Sequence, residues 1–143
     1  MKSKYFKVSD WNGKHPLATP YPDIWIVSRW QLMADGLDLI RETAGCPILI
    51  TPNGGYRNQN HNRMIGGKPK SQHVEGRAAD LKCALTPRQL HTIIRQMQRE
   101  GRLPALAGLG LYDWGVHVDF SPPPVGGHTV RRWDESSTGK QTP

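Results

Sequence analysis

Two short segments constrain this chain more than any other feature: Ser71-Gln72-His73-Val74-Glu75-Gly76-Arg77-Ala78-Ala79-Asp80 and, well separated from it, His117-Val118-Asp119. Both are strand-like, and both carry groups that bind metals. Two imidazoles and a carboxylate, from His73, Asp80 and His117, suit an open three-ligand site that leaves a position for water or substrate. A closed structural site would need four ligands, commonly thiolates. The chain has 2 cysteines, Cys46 and Cys83, too few for such a cage. The pattern favours hydrolysis over mere support of folding.

Strand parity sharpens the geometry. Val116, Val118 and Phe120 share one face of a strand, and His117 and Asp119 share the other. Over 77–83, Ala79, Leu81 and Cys83 alternate with Ala78, Asp80 and Lys82. On one straight strand His73 and Asp80 would point to opposite faces. Gly76 between them offers the bend that lets both converge.

The remaining elements follow from periodicity and punctuation. Ser28 followed by Gln31 reads as a capping box opening a helix over 29–44, with Trp30, Met33, Leu37, Ile40 and Ala44 at helical spacing. Gly45 and Pro47 end it, and Pro47 to Thr51 form a short strand. Gly54, Gly55, Gly66, Gly67 and Pro69 mark 54–70 as a loop with a short helix near 58–65. A second long helix begins at Thr86 and Pro87, buries Leu90, Ile93, Ile94 and Met97, and stops at Gly101. Strands at 109–112 and 116–120 are joined by a tight turn, and 129–133 forms a final edge strand. Residues 1–135 make one domain, and 136–143 read as a disordered tail.

Composition bounds the partners. A net charge of +7 and a pI near 9.7 favour an anionic partner. Nucleic acid ranks low, because no basic recognition helix or aromatic-interleaved basic strand is present. No apolar run approaches the ~20 residues that span a bilayer. The basic start at Lys2 and Lys4 is followed by no apolar stretch, so a secretory signal is not expected and both cysteines read as reduced, buried thiols. A monomer is expected.

Zinc held by two neutral imidazoles and one carboxylate keeps a net positive charge, which lowers the pKa of a bound water and polarises a carbonyl. A proton acceptor is also needed. Asp113, four residues before His117 at the mouth of the turn, is the nearest candidate. Asp119 is placed to orient an imidazole from behind. His15, His91 and His128 read as surface or packing residues.

In order along the chain, Gly55-Tyr56-Arg57, His61-Asn62-Arg63 with Gly66-Gly67, Ser71-Gln72-His73, Gly76-Arg77-Ala78-Ala79-Asp80, and Gly110-Leu111-Tyr112-Asp113 through His117-Val118-Asp119 resemble the zinc D-alanyl-D-alanine carboxypeptidase family. They look most like its short, phage endolysin-like branch, and the scaffold is shared with hedgehog domains. The resemblance runs over residues 28–133. It implies a small α+β fold: a central antiparallel sheet, two main helices packed on it, and one zinc ion on the open sheet face held by His73, Asp80 and His117. It implies that Arg57 faces the site and that Ser71 and Gln72 contact substrate or the ligand loop, with His61 supporting a loop. Larger members place a glutamate three residues before the last histidine ligand. Trp114 stands there in this chain, with Asp113 one step earlier.

The function so implied is hydrolysis of peptidoglycan stem or crossbridge peptides, with Asp113 as general base and anionic wall polymers as possible partners. The site of action would be the bacterial wall, reached as a phage lysis or virion protein. The alternative is a non-catalytic, zinc-containing wall-binding protein of the same fold.

Overall fold

The computed structural model describes residues 2–137. The apolar spacing over 29–44 forms α1 (Gln31–Ala44), which buries Met33, Ala34, Leu37 and Ile40 and ends at Gly45 in the left-handed conformation, φ 72°. Its start differs from the expectation. Ser28 is not a cap but lies inside a π-helical turn, Ile26–Trp30, that runs directly into α1. The backbone N–H groups that a capping hydroxyl would satisfy are already engaged by the preceding turns.

β1 (Ile48–Ile50) follows, then α2 (Gln59–Met64), whose first turn is capped by the Asn58 side chain accepting from the His61 N–H. β2 (Ala78–Cys83) leads to α3 (Pro87–Arg99), which opens with a reciprocal Thr86–Gln89 capping box and Pro87 in its first turn. β3 (Leu106–Leu111), β4 (Val116–Phe120) and β5 (Arg131–Asp134) complete the chain.

The five strands form one sheet in the order β1-β2-β4-β3-β5. The first four pair antiparallel, as expected, but β5 runs parallel to β3. Residues 121–130 carry the chain from the end of β4 across to the far side of β3. Since β4 and β5 then run in opposite directions on either side of β3, the second pairing is parallel.

α1 and α3 cover one face of the sheet, over Ala79, Leu81, Leu109, Leu111, Val116, Val118 and Phe120, all buried. Burial of a side chain the size of Phe120 or Leu109 contributes roughly 1.5–3 kcal/mol each. Gly36 on α1 lets that helix sit against Phe120: a Cβ there would come 2.6 Å from the ring. The opposite face carries the polar residues of β2 and β4.

The cysteines are half-buried free thiols rather than fully buried ones. Ser136 is buried and donates to Asp134 through its N–H and hydroxyl, and the Ser137 N–H donates to Asp113. The rest of the expected tail, 138–143, lies outside the described residues. Among the described residues no helix is long and apolar enough to cross a membrane.

Candidate metal centre

Asp80 and His117 are direct cross-strand partners in the β2–β4 ladder, an arrangement that sets Cβ atoms ~5 Å apart on the same face. His73 reaches them from the loop before β2. Gly76 supplies the bend at φ 67°, where a side chain would be strained. A Cβ at Gly76 would also come 2.7 Å from the Trp25 ring, and the Tyr21 hydroxyl donates to the Gly76 carbonyl at 2.5 Å. The loop is thus fixed from both sides. One ligand atom from each of His73, Asp80 and His117 lies within 4.8 Å of the others, and all three residues are buried.

The hydrogen bonds behind the imidazoles decide which nitrogens face inward. His73 Nδ1 lies 2.9 Å from the Gly55 carbonyl, which can only accept, so Nδ1 carries the hydrogen. Its Nε2 lone pair therefore points at Asp80 Oδ1, 3.2 Å away. His117 is bound the other way round. Its Nε2 lies 2.8 Å from Asp119 Oδ2 and Nδ1 lies 3.0 Å from Asp80 Oδ1, so with a metal on the Asp80 side the hydrogen belongs on Nε2. Two ring nitrogens and a carboxylate oxygen meeting at such range call for a cation among them.

Electrostatics agree with that demand. Burial lowers the pKa of His73 and outweighs Asp80, which keeps the ring neutral and able to ligate. Burial alone would raise the Asp80 carboxyl, but the His73 and His117 imidazoles overcome it and hold the group well below the usual carboxylate range. Burial would lower His117, yet the hydrogen bonds to Asp119 and Asp80 raise it, so its environment favours positive charge. A bound metal answers the same preference while Asp119 keeps the proton on Nε2. The donor set is hard to borderline, two nitrogens and a carboxylate, and fits one zinc ion.

The triad sits in an open pocket of about 650 Å³, lined also by Arg57, Ser71, Gln72 and Asp119. Arg57 is anchored by Nε to the Asn53 carbonyl at 2.8 Å and by Nη1 to Asn62 Oδ1 at 3.2 Å, with Nη2 3.5 Å from Asp80 Oδ2. The Ser71 hydroxyl accepts from the His73 N–H at 3.1 Å and so shapes the ligand loop. His61 is buried, stacked on His15, with Nε2 3.1 Å from Asn53 Oδ1. Since Asn53 also holds Arg57, His61 braces the loop that carries the guanidinium.

Asp113 is not brought to the centre. It lines a separate cavity with Leu81, Cys83, Pro87 and Leu90, and its carboxylate accepts from the Ser137 N–H and hydroxyl. The reason is parity: Asp113 continues the alternation of Leu109 and Leu111, which face the helices, whereas Gly110 and Tyr112 continue the open face.

Sequence reasoning also missed the contribution of β5. Tyr112, Trp114, Arg131, Trp133 and Glu135 all line the pocket. Arg131, Trp133 and Glu135 alternate along the final strand and its exit, so they share its open face. The signal was present in β3 as well. Gly108 and Gly110 are the site-facing positions of that strand, and their missing side chains let β5 reach β4.

The fold is thus an α+β sheet with an open His-Asp-His centre, suited to one zinc ion, on its uncovered face. The family described as Peptidase M15 matches residues 16–119, and the chain belongs to that family. It is also similar to the zinc D-Ala-D-Ala carboxypeptidase of Streptomyces albus G, 37% identical over 73 residues. That similarity covers 51% of this chain and 26% of the relative, so the chain matches about a quarter of its length. No solved structure matches the chain significantly.

Proposed function

We propose that the protein is a zinc-dependent peptidase acting on peptidoglycan stem or crossbridge peptides, of the D,D-carboxypeptidase or endolysin type. The observation that carries this reading is the convergence of His73 Nε2, His117 Nδ1 and Asp80 Oδ1 within an open pocket beside the anchored guanidinium of Arg57. His73, Asp80 and His117 would hold the ion, and Asp119 would orient His117. When bound, zinc supplies Lewis acidity that activates water and polarises the scissile carbonyl.

The other groups divide the remaining work. Arg57 presents a fixed positive charge that binds a peptide carboxylate or meets the oxyanion that develops on the carbonyl. Lys68 and Lys70 at the rim favour an anionic peptide, and the stacked rings of Tyr112 and Trp114 form one wall. Three carboxylates line the pocket. Asp80 and Asp119 belong to the metal centre itself, and we assign proton transfer to Glu135 from its place on the pocket wall at the exit of β5. It would accept the proton of the attacking water and return it to the leaving amine. Ser71 and Gln72 would shape the peptide groove.

The test is digestion of purified peptidoglycan with mass analysis of the fragments. New amino groups whose release a chelator abolishes are expected, and the fragments report which bond is cut. Absence of release from walls of several bacterial classes, with one zinc bound per chain, would sink the reading. The outward position of Asp113 favours the non-catalytic wall binder as the second reading, in which walls are retained but never cut.

A further inference from the structure

β5 and its exit lie beyond residues 16–119, the span matched by the family, yet they touch the metal centre. Two rows of residues run across the open face of the sheet. In one, Asp80 faces His117, His117 faces Gly110, and Gly110 faces Trp133. In the other, Ala78 faces Asp119, Asp119 faces Gly108, and Gly108 faces Arg131. β5 and β4 are separated by the whole width of β3, two strand spacings of ~4.8 Å each. A long side chain crosses that gap only where β3 has none. A Cβ on Gly108 would collide with both the Asp119 carboxylate and the Arg131 guanidinium.

We propose that Arg131 is a positioning residue of the metal centre: through Asp119 it fixes His117 with Nδ1 toward the metal, and Gly108 is the gap through which it reaches. Asp119 is 2% exposed, and each of its oxygens has a partner. Oδ2 accepts from His117 Nε2, and Oδ1 accepts from Arg131 Nη2. A buried carboxylate held on one oxygen only can rotate toward other donors, and the imidazole then loses the acceptor that sets its tautomer. The charge of Arg131 and its bond to Oδ1 close off that rotation. Trp133, two residues on, packs on the His117 ring at 5.1 Å and is itself held by its Nε1 donating to the Tyr112 hydroxyl at 2.8 Å. The edge strand therefore restrains His117 at its outer nitrogen and at its ring.

The inference rests on the reading of His73, Asp80 and His117 as zinc ligands. The test measures zinc affinity of the full chain by competition with a chromophoric chelator, and the His117 ring nitrogens by long-range proton–nitrogen NMR. Arg131→Gln is expected to weaken zinc about tenfold, at the lower end of the effect of losing a partner behind a ligand, and to broaden or shift the His117 nitrogen signals. Arg131→Lys, which keeps the charge, should recover most of the affinity. Arg132→Gln, on the opposite face of β5, should leave both readouts unchanged. If Arg131→Gln does not fold, Gly108→Ala decides, because it forces Asp119 and Arg131 apart from the β3 side. Parental zinc affinity and an unchanged His117 spectrum in either variant overturn the proposal. A parent chain that takes up no zinc overturns the ligand reading, and this inference with it.

Discussion

Trp133 occupies the space that a side chain at Gly110 would fill, and its ring leans on His117 with centroids 5.1 Å apart. The glycine thus decides whether the edge strand can buttress a metal ligand. Gly110→Val should push the indole off His117. Overpacking of this kind costs about 1–3 kcal/mol, and the displaced ring should also weaken zinc several-fold. Urea unfolding and chelator competition report the two effects separately. A variant that loses stability but binds zinc like the parent would restrict Trp133 to a packing role.

Asp113 and Glu135 give opposite expectations. Asp113→Ala should leave kcat/KM on wall peptides within about twofold, because the residue lies outside the pocket. The hydrogen bonds it loses, to Ser137, are exposed and worth at most ~1 kcal/mol together. Glu135→Gln should lower kcat by about a hundredfold or more, the usual scale for a proton-transfer group, with zinc content unchanged. Steady-state kinetics with metal analysis checks both. The reverse pattern would return the base to the turn.

How much of this was legible follows from strand parity. The ligand triad could be read because His117 and Asp80 sit inside regular strands, where alternation with Val116, Val118, Ala79 and Leu81 fixes their side. The bend at Gly76 was legible too, since no other residue between His73 and Asp80 tolerates φ near 67° so readily. Asp113 is near His117 along the chain, but strand parity groups it with Leu109 and Leu111 rather than with the open face. β5 was recognised as an edge strand, but its partner, direction and register depend on where 121–130 carries the chain, and the strand's own residues do not encode that. The π-helical turn before α1 was hidden for a similar reason, because the apolar spacing near Trp30 suits either kind of turn.

Zinc should stabilise the fold as well as activate it. Its ligands come from the loop before β2, from β2 and from β4, so binding ties three segments together. At a free zinc concentration a hundred times Kd, linkage gives about 2.7 kcal/mol, which corresponds to a rise of roughly 10 °C in Tm for a chain of this size. Thermal unfolding with zinc and with excess chelator measures the difference. His73→Ala and His117→Ala should abolish it while folding persists in the metal-free state. An unchanged midpoint on chelation would mean that zinc binds the folded chain no more tightly than the unfolded one.

The anchoring of Arg57 allows its two possible roles to be separated. Its Nε and Nη1 are held by Asn53 and Asn62, so the guanidinium cannot follow a substrate and serves whatever group is brought to it. If it binds the terminal carboxylate of the peptide, Arg57→Ala should raise KM for substrates with a free C-terminus and change little for C-terminally amidated ones. If it steadies the oxyanion, kcat should fall by about a hundredfold or more for both substrates. Kinetics on a matched pair of peptides distinguishes a carboxypeptidase from an endopeptidase in one measurement. Equal activity of Arg57→Ala and the parent on both peptides would remove Arg57 from the mechanism and leave it as a brace for Asp80.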